Sequence, residues 1–133
     1  LSTAVFNFNS WIDVNYDNSY ELLRHFLSVY IAANSIKDPD KYIRVGLIKV
    51  LTYYVLKGYS EETKEFIIDS IPYMNIKNLN QYNSELQKKG YLLKDKFKYH
   101  KRNLPEELYV LKKYVDSNMD KVPLFVVKYV KKA

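Results

Sequence analysis

Cysteine is absent from the chain, which excludes a disulfide framework and any thiolate metal site. Glycine is nearly as scarce. Gly46, Gly58 and Gly90 are the only three, too scattered to form a loop that cradles phosphate. The two histidines, His25 and His100, lie too far apart to suggest a local metal motif. No apolar run approaches the roughly eighteen residues of a membrane span, so no membrane partner is expected. The opening stretch, LSTAVFNFNSWIDV, has no basic segment ahead of its apolar residues and does not read as a signal peptide. A cytoplasmic location is the expectation, with a virion as the alternative.

Catalytic groupings are equally thin. Glu61, Glu62 and Glu65 gather acids, but at a helix start these are ordinary dipole partners and solvating residues. Asp13 and Asp17 lack a loop supplying the roughly six or more oxygens that calcium requires. Ser60 and His25 have no acidic partner at an interpretable spacing. No enzymatic activity and no cofactor are expected.

What the chain does carry is basic charge and apolar mass. Its 133 residues are 47% hydrophobic, enough for a core in a single domain spanning 1–133. The formal charge is +6, and it is unevenly spread. Residues 1–40 hold two basic and five acidic side chains, a net −3, while 41–133 hold nineteen and ten, a net +9. A positive field over the later two-thirds attracts polyanions without specifying which.

The first fifteen residues alternate briefly around Val5, Phe6 and Phe8 and predict a short strand or extended arm. Asn18 can cap a helix, with Glu21 completing a capping box and Leu22, Leu23, Phe26, Leu27 and Tyr30 on the apolar face. That helix is expected to end near Asn34. Asp38 and Pro39 open a second one running to about Lys57, broadly buried, with Gly46 marking close helix packing. Gly58 stops it, and Ser60 caps a third helix with Phe66, Ile67 and Ile71 inward. Pro72 breaks the chain, and Asn75 caps a fourth helix from about Ile76 to Lys89. The last two, short and closely spaced, have the outline of a helix-turn-helix.

On the fourth helix, Ile76, Leu79, Asn83 and Leu86 share one side, with Tyr82 at its margin. Lys77, Gln81, Ser84 and Lys88 lie opposite them in an acid-free stripe. Such a stripe suits the major groove, where Asn78 and Gln81 can read adenine, the lysines guanine or phosphate, and Ser84 either. It equally suits an ordinary solvated face. After Gly90, Tyr91, Leu92 and Leu93 predict one strand, and the alternation of Phe97, Tyr99 and Lys101 with Lys96, Lys98 and His100 predicts a second. Lys94, Lys96, Lys98, Lys101 and Arg102 make this hairpin basic enough to reach phosphates beside the groove. Protein docking and plain exposure are its other uses. Asn103, Pro105, Glu106 and Glu107 begin a final helix with the stripe Leu108, Leu111 and Val115. The closing VPLFVVKYVKKA reads as a late strand able to dock on a second copy or another protein.

The passage LQKKGYLLKD, followed by a basic strand and the leucine-proline acidic start NLPEEL, resembles the winged-helix domain of MarR-like bacterial transcription regulators and of replication initiators. The resemblance covers about Tyr42 to Val115. It implies a mainly α fold with a small β component, a winged helix-turn-helix core over 41–115. An N-terminal arm and helix would occupy 1–40 and a C-terminal extension 116–133. Residues 76–89 would be the recognition helix and 92–101 the wing. The implied function is a non-enzymatic DNA-binding protein, a transcription regulator or replication accessory factor, dimeric on double-stranded DNA. The alternative is a structural or adaptor protein that uses the winged helix for protein–protein assembly, as in a bacteriophage particle.

Overall fold

Apolar residues at helical spacing dominate the early chain, and a computed structural model, describing residues 17–93, 104–117 and 130–131, folds them into helices. Helix α1 (Ser19–Lys37) starts where the Asn18 side chain accepts a hydrogen bond from the Glu21 amide at 2.9 Å. The Glu21 carboxylate reaches back to the Asp17 amide at 3.2 Å, one residue ahead of the cap. Leu23, Leu27 and Ile31 recur every fourth residue and are buried. The helix continues past Asn34 to Lys37, where the Asp38 amide closes on the Asn34 carbonyl.

Asp38 is a cap, but of a single 3₁₀ turn, Pro39–Lys41, rather than of a helix running on to Lys57. Tyr42 and Arg44 are extended, and the break lets Ile43 enter the core while both its neighbours face outward. Helix α2 (Val45–Lys57) is the hub, with Leu47, Val50, Leu51, Tyr54 and Val55 among its buried residues. Helix α1 packs along it, and the three later helices pack on it as well. Each large apolar side chain so buried contributes roughly 1.5–3 kcal/mol. Thr52 is buried too, its hydroxyl donating to the Ile48 carbonyl at 2.6 Å. Gly46 faces the Tyr82 ring, so the close approach expected there is made by a side chain of a later helix.

Ser60 caps α3 (Glu61–Ser70) by accepting from the Thr63 amide at 3.1 Å. Thr63 and Ile67, four apart, form its buried stripe. Phe66, expected inward, is instead 42% exposed, because it sits about 100° around the helix from Ile67. It meets the Tyr53 ring edge-on at 5.5 Å, with the Lys57 ammonium 4.1 Å over its face. Between α3 and the next helix, Tyr73 has φ 63° and is 98% exposed. A left-handed backbone costs a residue with a β-carbon about 1–2 kcal/mol, and a ring in water regains none of that by burial. Tyr73→Gly should therefore stabilise the fold by roughly 0.5–1 kcal/mol, net of the entropy glycine adds to the unfolded chain. Urea denaturation measures the change; a lowered midpoint would show the turn to be unstrained.

Helix α4 (Ile76–Lys88) begins at Asn75, which accepts from the Asn78 amide at 2.9 Å. Leu79, Asn83 and Leu86 are buried as their spacing predicts, whereas Ile76 is exposed at the helix start. The largest departure from expectation follows. Gly90 has φ 82°, its amide donates to the Gln87 carbonyl at 3.1 Å, and the Tyr91 amide donates to the Leu86 carbonyl at 2.9 Å. These are the paired bonds of a Schellman ending, with Tyr91 folded back over Leu86. Tyr91 and Leu92 are both buried, whereas successive residues of a strand would face opposite sides.

No strand occurs among the described residues, all of whose regular elements are helical. The winged helix-turn-helix with its small β component is therefore overturned. With it go the resemblance to MarR-like regulators and replication initiators and the DNA-binding assignment that depended on a wing. Residues 91–93, expected as the first strand of the hairpin, form a bend. The rest of that hairpin, the N-terminal arm, the Asn103 cap and most of the late apolar strand lie outside the described residues. Helix α5 (Glu106–Ser117) follows a buried Leu104 and packs Leu108, with half-buried Leu111 and Val115, against the core.

Candidate functional site

Burial of Leu79, Asn83 and Leu86 turns the opposite side of α4 to solvent, and Lys77, Gln81, Ser84 and Lys88 are all exposed there. Asn78 lies at the edge, half-buried, its backbone N–H donating to the Asn75 cap. The nearest acid on the helix, Glu85, is neutralised: its carboxylate pairs with Arg44 at 2.7 Å, and the guanidinium lies 4.9 Å over the Tyr82 ring. The outward stripe therefore keeps its positive sign. Lys94, Lys96, Lys98, Lys101 and Arg102, the other predicted contacts, lie outside the described residues.

Arg44 ties the stripe to a part of the surface that sequence reasoning missed. Its neighbours Tyr42 and Val45 are 61% and 58% exposed, and Ile76 is 54% exposed at the start of α4. Helical periodicity assigns such apolar residues to the core. What places them outside is their position at helix ends, before the buried stripe has begun.

A second feature is a cleft of about 630 Å³ between α1, the 3₁₀ turn, the glycine turn after α4 and the start of α5. Tyr30, Asn34, Lys37 and Lys41 line one side, and Glu106 and Glu107 belong to the other. Three hydrogen bonds knit the walls together: Tyr91 hydroxyl to the Lys41 carbonyl and Lys41 ammonium to the Lys89 carbonyl, both at 2.7 Å, and Tyr30 hydroxyl to the Glu107 carboxylate. Burial, and then the Glu107 carboxylate, push the Tyr30 phenol up to about 12, and burial raises Tyr91 as well. Both therefore keep their protons at neutral pH and act as donors.

Among the described residues no three His, Asp or Glu side chains are grouped to hold a metal ion, and no helix is long and apolar enough to cross a membrane. No family model, no curated protein and no solved structure matches the chain.

Proposed function

We propose that this chain is a non-enzymatic adaptor whose α4 face docks on an acidic patch of a protein partner. The observation that carries the reading is the acid-free outward stripe of Lys77, Gln81, Ser84 and Lys88, linked through Arg44 to exposed Tyr42 and Val45. Lys77 and Lys88 stand about 16 Å apart along the helix, so they offer two separate charge contacts. Exposed Tyr, Val and Ile side chains have no counterpart on a phosphate backbone. They do suit the apolar centre of a protein interface whose rim is charged. Such a module works inside an assembly, in the cytoplasm or in a particle.

Fluorescence anisotropy tests the assignment with a labelled glutamate-rich peptide and a labelled DNA duplex of equal charge, each titrated across salt. The peptide should bind more tightly. The double substitution Lys77→Glu with Lys88→Glu should weaken peptide binding by about tenfold, or 1.4 kcal/mol, without moving the unfolding midpoint, since both side chains are exposed. Tighter binding of the duplex, or affinity indifferent to the charge reversal, would remove the adaptor assignment.

A further inference from the structure

We infer that the cleft between α1 and the start of α5 binds a small zwitterion, an ammonium and a carboxylate on one short frame, as in a free amino acid or a short peptide. The inference is independent of the adaptor reading, because it uses none of the residues on the α4 face.

The cleft is within the range of about 300–1,000 Å³ typical of small-molecule sites. Its lining differs from a drug-like pocket in being charged, and the charges divide by origin. The end of α1 and the 3₁₀ turn bring Lys37 and Lys41; the start of α5 brings Glu106 and Glu107. Asp38 also lines the cleft and caps the 3₁₀ turn, accepting from the Asp40 amide at 3.1 Å; with its charge counted, Lys37 and Lys41 still leave that side net positive. Lys37 and Glu106 have no ion-pair partner among the described residues. Lys41 gives one N–H to the Lys89 carbonyl and keeps two for a ligand. Glu107 receives the Tyr30 hydroxyl and retains further acceptor sites.

These assignments leave a cationic wall able to take a carboxylate and an anionic wall able to take an ammonium. Asn34 lies beside both phenols and can complete either set. A ligand of one sign would satisfy one wall and be repelled by the other; a zwitterion satisfies both. The Tyr30–Glu107 hydrogen bond ties the two walls together, and the bonds of Lys41 to Lys89 and Tyr91 fix the 3₁₀ turn on the glycine turn, so the arrangement stands before any ligand arrives and less entropy is lost on binding.

Isothermal titration of the full chain tests this with glycine, 4-aminobutyrate, 6-aminohexanoate and triglycine, against butylamine and butyrate as ligands of one sign. At least one zwitterion should bind with a dissociation constant of about 1 mM or below, at least tenfold tighter than either control. A preference for triglycine identifies peptides as the natural source, and a preference for an amino acid identifies free metabolites. Lys37→Gln and Glu106→Gln should each weaken that ligand about tenfold, and both side chains are exposed, so the fold should be unaffected. Lys77→Glu with Lys88→Glu should leave the binding unchanged. The inference is overturned if no zwitterion shows saturable binding, if butylamine or butyrate binds as well, or if neither glutamine variant loses affinity.

Discussion

Tyr54→Phe and Asn83→Leu are each expected to destabilise the protein by about 1–3 kcal/mol, while the two together should cost far less than their sum. Tyr54 is fully buried in α2 and its hydroxyl donates to the Asn83 side-chain oxygen of α4 at 2.8 Å. Removing the hydroxyl leaves the Asn83 carbonyl in a site with almost no solvent. Replacing the amide leaves the Tyr54 hydroxyl in the same position. In each case the orphaned group forfeits its solvation and gains no partner. The double variant has neither group, and Phe beside Leu packs as ordinary core. Urea denaturation of the four proteins closes the cycle, and the coupling should be ~1–3 kcal/mol. Strict additivity would mean that the two groups do not depend on one another.

That polar pair shows how far sequence reasoning reaches. Asn83 lies on the apolar side of its helix by spacing alone, with Leu79 and Leu86, and it is buried as the spacing predicts. The identity of its partner is tertiary, since Tyr54 and Asn83 are 29 positions apart. Helix starts were readable for a related reason: the caps Asn18, Ser60 and Asn75 each bond to the amide three residues ahead, so the signal is local. The aspartate-proline pair at 38–39 announces a start in the same way but says nothing about length. Burial of Ile43 against the rest of the core ends that first turn, and no local signal records it.

The candidate site divides along the same line. The outward stripe on α4 is the complement of its buried stripe, so one helical period supplies both. The cleft could not be found in this way. Its walls come from positions 30–41, 90–91 and 105–108, which only the fold brings together. The assumption that apolar residues in a helical pattern point inward puts Ile76 in the core, yet it is exposed, as are Tyr42 and Val45, which no pattern singles out. At helix ends that assumption is weakest, since fewer neighbouring elements are available to cover them.

Gly90 joins the end of α4 to the buried Tyr91 and Leu92 that replace the expected first strand. In the Schellman ending it has φ 82°, which costs a residue with a β-carbon about 1–2 kcal/mol. A β-carbon there would also lie 2.7 Å from the Lys41 ammonium, which must withdraw from the Lys89 carbonyl that it now bonds. Loss of that hydrogen bond adds ~1 kcal/mol, less than for a buried charge because the site is only partly enclosed. Gly90→Ala should therefore destabilise by about 2–3 kcal/mol, placing it with the core substitutions rather than with surface ones. In a Lys41→Met background the ammonium contact is already gone, and the same glycine substitution should cost only the backbone share of about 1–2 kcal/mol. Chemical denaturation of the two pairs separates these contributions. An alanine variant as stable as the parent would remove the Schellman ending on which the buried placement of Tyr91 and Leu92 depends.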